Sequence, residues 1–326
     1  MKKRYSLLAA ALLCLNLSGL AQINLRFVDA AEAAQLLATE DATTDQWSKF
    51  DYEARLGRPG GTKQELIDFI SQQARNWSEN DKQIMQAAAD ALNRTINEQH
   101  LNLPLPKEIK ILKTTMAEEG GAGGYTRKDY IVIEEKVEKF SPATAQYLLA
   151  HELFHILTRN NPDFRQRMYT LIGFSIADRE FERPADLRDV LITNPDVNRF
   201  DSYATFTIDG EKKPCAMVIY SSKPYEGGSF FKYLTIGLVP LKDGKPEQKD
   251  GKTQVYPISR ASDFFEQVGR NTNYIINPEE ILAENFAAIM LDKQQAKTPE
   301  LYEKIRVELQ YLIFEKSNKA ENGEEN

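Results

Sequence analysis

Apolar residues recur at helical spacing between residues 63 and 100. The pattern predicts two amphipathic helices there, and Ser78 provides an N-cap for the second. Their apolar positions are Leu66, Ile67, Phe69 and Ile70 in the first helix and Ile84, Ala87, Ala88, Leu92 and Ile96 in the second. Residues 22–60 show weak periodicity and end in a Pro-Gly turn. We therefore expect a helical N-terminal part over residues 22–105, and the sequence leaves open whether it packs as a cap or acts as an inhibitory segment.

Two short apolar runs precede the next helix. Runs rich in Ile, Val and Tyr predict strands at residues 109–112 and 130–133, and a glycine-rich loop lies between them at residues 120–124. Ser141 then provides an N-cap, with proline in the first turn, for a helix over residues 142–157.

The residue pattern changes from helical to strand-like at residues 201–257, where short apolar runs are separated by Asp-Gly turns. The predicted strands are 203–208, 216–220 and 233–239. After this β-rich segment, proline at the start of two further runs predicts helices over residues 277–292 and 298–314. The polar residues 317–326 are expected to form a flexible tail.

Composition and charge narrow the classes of protein that fit. The 326 residues carry 41 Lys and Arg against 48 Asp and Glu, a net charge of −7. A protein that binds nucleic acid through its phosphates needs the opposite balance, so we expect no nucleic-acid partner. A hydrophobic share of 42% with a charged share of 27% is ordinary for a globular chain and excludes simple disorder.

The N-terminus has the three parts of a secretory signal peptide. Residues 2–4 are basic, residues 7–15 are apolar, and residues 19–21 form a small-x-small cleavage site. Cleavage there removes three basic residues and leaves 38 against 48 acidic ones, a mature charge of −10, with Cys215 as the remaining cysteine. The apolar run is too short to span a bilayer. We therefore expect an exported protein, periplasmic or secreted, without stable membrane insertion after signal removal.

Candidate chemistry lies in the sequence HELFH at residues 151–155, inside the predicted helix over residues 142–157. Residues four apart share one face of a helix, so His151 and His155 can direct ring nitrogens to one metal ion. Glu152 is offset toward the open coordination position, where a general base is needed. Imidazole suits zinc. HExxH also occurs by chance, but this chain has only three histidines, and two of them are in this motif.

The third ligand has to come from elsewhere, because catalytic zinc usually takes three protein ligands. His100 is the only further histidine, and it ends a different predicted helix 51 residues upstream of His151. A histidine six residues after His155 would mark the metzincin pattern HExxHxxGxxH, but Thr158 and Asn161 occupy its Gly and His positions. A carboxylate is therefore the expected third ligand.

Glu280 and Glu284 are four residues apart on the predicted helix over residues 277–292, so they share a face. One of them could coordinate zinc while the other holds a ligand histidine by its second ring nitrogen. For Glu279 we favour a solvated position, because a carboxylate in the first turn is stabilised by the helix dipole without any further role.

HELFH followed by a helix with Glu280-Ile281-Leu282-Ala283-Glu284 resembles the gluzincin-type zinc metallopeptidases, whose HExxH helix is completed by a downstream ExxxD or ExxAD-like motif. The resemblance implies that Glu280 is the third metal ligand and that Glu284 holds a histidine in place of the family's Asp. The 124 residues between His155 and Glu280 exceed the spacing in many gluzincins, so the β-rich segment would be an insertion.

The resemblance also implies two features of the cleft. In zincins an edge strand borders the active site and pairs with an extended substrate, and residues 125–134 are placed to do so behind the glycine-rich loop. Related enzymes often place a Tyr, His or Arg upstream of the third ligand to stabilise the oxyanion. Tyr274, six residues before Glu280, is our candidate, although a tyrosine is more often part of a core.

These elements together predict an α+β, zincin-like fold that is mostly helical, with a small mixed sheet and a β-rich insert between the two metal-binding helices. We expect one domain over residues 22–316, because His155 and Glu280 must meet across the insert at residues 201–257.

The expected function is that of an exported zinc metallopeptidase with one zinc ion per chain and a peptide or protein substrate. Zinc would activate water, and Glu152 would act as general base. Two alternatives stay open: a non-catalytic zincin-like binding protein with structural zinc, and a zinc amidohydrolase that acts on cell-wall cross-links. The oligomeric state is not readable from the sequence.

Overall fold

The computed structural model describes residues 22–293 and 295–311. The predicted signal peptide, residues 1–21, and the predicted tail, residues 317–326, lie outside the described residues.

Four of the described helices begin directly after a serine or threonine whose side chain caps the first turn. Ser48, Thr62 and Ser78 each form a capping box, and Ser141 accepts a hydrogen bond from the backbone N–H of Thr144. The helices are α1 (Ala30–Ala38), α2 (Lys49–Leu56), α3 (Lys63–Ser71), α4 (Glu79–Glu98), α5 (Pro142–Asn160), α6 (Pro162–Thr170), α7 (Phe264–Val268), α8 (Pro278–Met290) and α9 (Pro299–Tyr311).

Short strands alternate with these helices and are β1 (Leu25–Phe27), β2 (Ala74–Arg75), β3 (Ile109–Thr114), β4 (Gly124–Arg127), β5 (Tyr130–Glu134), β6 (Phe174–Ile176), β7 (Ser202–Ile208), β8 (Glu211–Tyr220), β9 (Thr235–Lys242), β10 (Lys245–Pro246), β11 (Gln248–Lys249), β12 (Lys252–Thr253) and β13 (Tyr256–Pro257). The chain is therefore α+β, as the sequence predicts.

The first sheet is mixed and has the order β1-β3-β5-β4, with β2 paired to β3. β3 runs parallel to β1 and β5, whereas β4 is antiparallel to β5 and forms the edge. Side chains alternate across the sheet: Ile131 and Ile133 join the large core that contains α4 and α5, whereas Tyr130 and Val132 join a second core with α1 and α3. Helices thus cover both faces.

The second sheet is antiparallel, with the order β10-β9-β8-β7-β6 and β13 paired to β9. It contains the three strands predicted within residues 201–257, but it starts earlier in the chain, at Phe174. Phe206, Cys215 and Leu238 from this sheet are buried in the same core as α5 and α8. The β-rich segment is therefore packed onto the helices that carry the candidate ligands.

Two sequence predictions need correction. The weakly periodic residues 22–60 contain β1, α1 and α2, so the N-terminal part contributes a strand to the first sheet as well as helices. The strand expected over residues 125–134 is a hairpin, and only its first arm, β4, lies at the sheet edge. β1 has three residues, too few for a periodic pattern to indicate a strand. The two arms of the hairpin are separated by a turn at Lys128, which has a positive φ of 52°.

Among the described residues, none of the helices combines the length and the apolar character needed to cross a membrane.

Candidate metal centre

The candidate site lies where α5 packs against α8. His151 and His155 are one turn apart on α5, and their ring centroids are 4.9 Å apart. Glu280 lies in the first turn of α8, where Asn277 caps the helix by accepting a hydrogen bond from the N–H of Glu279. Both helices are buried in the large core, which holds the face of α5 that carries the histidines against the face of α8 that carries Glu280.

Three ligand atoms converge at this contact. Oε2 of Glu280 lies 3.1 Å from Nε2 of His151 and 3.7 Å from Nε2 of His155. One ligand atom from each of these residues lies within 4.8 Å of the other two. The structure thus brings together the two histidines and the carboxylate that the sequence predicts as ligands.

The residues present fit a zinc ion. Nε2 of His155 is buried and has no hydrogen-bond partner among the described residues, which is costly for a polar atom unless a ligand satisfies it. Two imidazoles and one carboxylate are the donor set of many catalytic zinc sites, and they leave a fourth position open. The side chain of His151 is 12% exposed, so the site is reached from solvent on this side.

A second carboxylate holds each histidine by its other ring nitrogen. Oε1 of Glu284 lies 3.3 Å from Nδ1 of His151, and its Oε2 accepts a hydrogen bond from the hydroxyl of Thr272 at 3.1 Å. This is the geometry predicted for Glu284. A carboxylate in this position fixes the tautomer and the orientation of a ligand histidine.

Glu279 holds His155 by its Nδ1 atom, as Glu284 holds His151. The expectation that Glu279 is solvated was wrong. Its side chain is 3% exposed, and Oε1 lies 3.1 Å from Nδ1 of His155. The hydroxyls of Thr158 and Tyr169 donate to Oε1 and Oε2 at 2.5 and 2.6 Å. No local signal in the sequence distinguishes it from a solvated first-turn glutamate, because its partner Tyr169 comes from another helix.

Glu152 is buried beside the ligands and faces the edge strand. The hydroxyl of Thr126 on β4 donates to Oε2 of Glu152 at 2.9 Å. A side chain at Gly124 on the same strand would be crowded, because its Cβ atom would lie 3.0 Å from the carbonyl oxygen of Val132 and 3.1 Å from Oε1 of Glu152. The edge strand thus fixes the carboxylate from both sides.

Asn194 and Asp196, which the sequence pattern did not indicate, also lie beside the candidate ligands. Nδ2 of Asn194 donates to Oε1 of Glu280 at 2.5 Å, which leaves Oε2 directed at the histidines. The carboxylate of Asp196 lies within 4.8 Å of ligand atoms of Glu152 and His155. Both residues belong to a segment without periodicity, so the sequence held no signal for them.

The charges in the site shift the ionisation of its groups. Burial opposes protonation of His155, but the charges of Asp196 and Glu280 and the contact with Glu279 raise its pKa to about 9. Burial also opposes ionisation of Glu280, but the charge of His155 and the contact with His151 lower its pKa to about 2. Burial raises the pKa of Glu152 above its ordinary value, against the charges of both histidines. Without metal, the site thus pairs a protonated His155 with an ionised Glu280.

Tyr274 lies at the rim of the site and is not part of a core. Its side chain is 43% exposed, and its ring centroid lies 6.4 Å from that of His151. It lines a cavity of about 70 Å³ together with Gly124, Asn194 and Asp196. Its position is compatible with contact to a bound ligand.

Comparisons of the chain with models of protein families, with curated proteins and with solved structures found no match.

Proposed function

We propose that the protein is an exported zinc-dependent metallopeptidase with a zincin-like catalytic arrangement. The observation that carries the proposal is the convergence of His151, His155 and Glu280 on one point, with the buried Glu152 beside it. A purely structural zinc site is usually closed by four protein ligands, whereas this set leaves one position open toward a cleft. Export rests on the signal-like residues 1–21.

Each residue of the site has a task in peptide hydrolysis. Zinc, held by His151, His155 and Glu280, would supply Lewis acidity and make water a nucleophile near neutral pH. Glu152 accepts the proton of the attacking water and passes it to the leaving amine. Thr126 orients Glu152 for both transfers, since its hydroxyl holds one carboxylate oxygen.

Tyr274 is the candidate donor to the oxyanion that forms on the substrate carbonyl. Its exposed ring beside His151 places it on the side from which a substrate enters. A donor that acts on the developing negative charge is worth about 3 kcal/mol in related acyl-transfer sites, or a hundredfold or more in rate.

Metal analysis by mass spectrometry tests the site itself. Purified wild type should contain one zinc ion per chain after dialysis, and His155→Ala and Glu280→Ala should contain little or none. Glu300→Ala, which removes an exposed glutamate from the first turn of α9, is the matched control and should retain zinc. A folded wild type that takes up no zinc when zinc is offered would contradict the proposal.

A peptide library with product analysis tests the activity. Wild type loaded with zinc should cleave peptides, and Glu152→Gln should retain zinc and lose cleavage. Zinc binding without turnover on any peptide would favour the non-catalytic binding protein. Cleavage of cell-wall cross-link fragments but not of peptides from denatured protein would favour the amidohydrolase.

A further inference from the structure

The edge strand beside the site is closed at one end. In an open edge strand, outward N–H and C=O groups are free to pair with an extended substrate. At Thr126 both are already used: its N–H donates to Oδ1 of Asp196 at 2.6 Å, and its C=O accepts from Nη1 of Arg159 at 3.1 Å. A substrate therefore cannot continue along β4 past Thr126.

The segment that closes this end, residues 192–196, is a fixed part of the fold. Nη2 of Arg159 donates to the carbonyl of Pro195 at 3.1 Å. Arg55 on α2 donates to the carbonyl of Thr193 at 2.7 Å, and the N–H of Thr193 donates to Oδ1 of Asp51 at 3.0 Å. Anchors from α2 and α5 hold the segment from both sides, so the closure is permanent.

The other end of the strand faces a cavity. Gly124 lies in its wall, and a cluster of apolar side chains from the second sheet and the loops around it forms the far side. Phe231 is 45% exposed there and stacks on Phe230 with a centroid distance of 4.3 Å. The cleft thus has one closed polar end, at Asp196, and one open apolar end.

The charge at the closed end favours a cation. Asp196 is half-buried, lines the cavity, and faces Glu152 and Glu280, both of which are acidic. The positive charges that face it are that of the metal position at His155 and that of Arg159, whose guanidinium donates to the carbonyls of Thr126 and Pro195. A substrate carboxylate at this end would meet repulsion, whereas an ammonium group would find an acceptor.

The distances fit the α-ammonium group of a peptide. Its nitrogen is separated from its own carbonyl carbon by two bonds of about 1.46 and 1.52 Å, or roughly 2.5 Å in space. A charge-assisted hydrogen bond adds about 2.8 Å. The sum, roughly 5 Å, is the reach from the Asp196 carboxylate to the first carbonyl carbon, and the ligand atoms of Glu152 and His155 lie within 4.8 Å of the same carboxylate. An ammonium group bound to Asp196 would thus place the first carbonyl group beside the general base.

We propose that the site takes the free N-terminal end of a peptide and that Asp196 is the residue that binds its ammonium group. This inference rests on the proposed function. Hydrolysis then breaks the C–N bond between the first and second residues. The oxygen of water joins the first carbonyl carbon, and one proton passes through Glu152 to the new amine of the second residue. The side chains that follow the first residue lie toward Phe230 and Phe231.

A matched set of peptides tests the proposal on the zinc-loaded wild type. One sequence is offered with a free N-terminus, with an acetylated N-terminus, and with an amidated C-terminus, and products are identified by mass spectrometry. We expect the free and the C-terminally amidated peptides to lose their first residue with equal kcat/KM. The acetylated peptide should be cleaved at least about 30-fold more slowly, the factor that corresponds to the roughly 2 kcal/mol that loss of one charge-assisted contact costs.

Cleavage of the acetylated peptide at internal bonds, at a rate like that of the free peptide, would overturn this inference and leave the proposed function standing. Absence of cleavage of all three peptides would overturn the proposed function and this inference with it.

Binding without turnover gives a second readout. Calorimetry on zinc-loaded Glu152→Gln should show the free peptide bound at least tenfold more tightly than the acetylated one. Adding Asp196→Asn should abolish that difference while zinc content stays at one per chain. Adding Asp189→Asn instead, which removes an exposed charge nearby in the sequence, should preserve it. A difference that persists without the Asp196 carboxylate would overturn its assignment.

Discussion

Oε1 of Glu279 lies 3.1 Å from Nδ1 of His155, and the pair is buried between α5 and α8 with hydroxyls from Thr158 and Tyr169 on the same carboxylate. Because the other nitrogen of His155 faces the candidate metal position, Glu279 fixes the ring in the orientation that a metal needs. We therefore expect Glu279 to affect metal affinity without being a ligand itself.

We expect Glu279→Gln to weaken zinc binding by about 10- to 100-fold, the usual cost of losing a carboxylate behind a ligand histidine. Competition with a fluorescent zinc chelator measures the affinity. Glu300→Gln, an exposed first-turn glutamate on α9, is the control and should bind zinc like wild type. Equal affinity of Glu279→Gln and wild type would show that the contact does not orient the histidine.

The hydroxyl of Thr126 donates a hydrogen bond to the carboxylate of Glu152. Its backbone N–H donates to Asp196 in the segment formed by residues 192–196. Thr126→Val keeps the shape and the backbone but removes the hydrogen bond. We expect kcat to fall by about fivefold, which corresponds to the ~1 kcal/mol of one hydrogen bond, with zinc content unchanged. Thr126→Ser restores the hydroxyl and should recover most of kcat. An unchanged kcat in Thr126→Val would mean that Glu152 needs no such support.

The sequence predicted which side chains of α5 and α8 come together at the candidate site, because two helices carry them at fixed spacing. His151 and His155 are one turn apart, and Glu280 and Glu284 are one turn apart, so each pair shares a face in any helix. N-caps at Ser141 and Asn277 fixed where these helices begin. Local rules were therefore sufficient for the residues on α5 and α8.

The same rules could not find Asn194 and Asp196, because these residues reach the site through a loop without a period. Their positions depend on long-range contacts, such as the bond from Arg55 to the carbonyl of Thr193, 138 positions away in the chain. Glu279 was misjudged for a related reason. A first-turn glutamate is normally solvated, and only the packing of α6 against α8, which brings Tyr169 to it, makes this one buried.

Zinc binding should release protons in an amount that depends on pH. Without metal, the pKa of His155 is about 9 because Asp196 and Glu280 outweigh its burial, and the pKa of His151 is raised as well by Glu280 and Glu284. His155 is therefore protonated at pH 7, and a metal has to displace that proton. Apparent affinity should rise about tenfold per pH unit for each proton displaced, until the pH passes the pKa.

Calorimetry in two buffers of different ionisation enthalpy counts these protons. We expect at least one proton released per zinc ion at pH 7 and fewer at pH 9.5. Glu279→Gln lowers the pKa of His155 by removing one of its raising contacts, so it should release fewer protons than wild type near pH 9. A proton count of zero at pH 7 would contradict the charged state of the metal-free site.

Glu118 makes the stability of the protein depend on pH at a place away from the metal. Its carboxylate is fully buried, Oε1 accepts a hydrogen bond from Tyr125 at 3.3 Å, and Oε2 has no partner among the described residues. Burial raises its pKa from 4.5 to about 7. Between these values the folded state holds a proton that the unfolded state has lost, so stability falls as pH rises through this window and the loss is complete above pH 7.

Glu118→Gln has no charge to bury, so it should be more stable than wild type above pH 7 and nearly equal to it at pH 5. The full difference is on the order of 3 kcal/mol, from the shift in pKa at about 1.4 kcal/mol per unit. Urea unfolding at pH 5 and pH 8 measures it. The neighbouring Glu119→Gln is the contrast: it removes a charge that Arg55 binds with two nitrogens, so it should destabilise the protein at both pH values. If Glu118→Gln gained nothing at pH 8, the carboxylate would have to be solvated or paired in the folded protein.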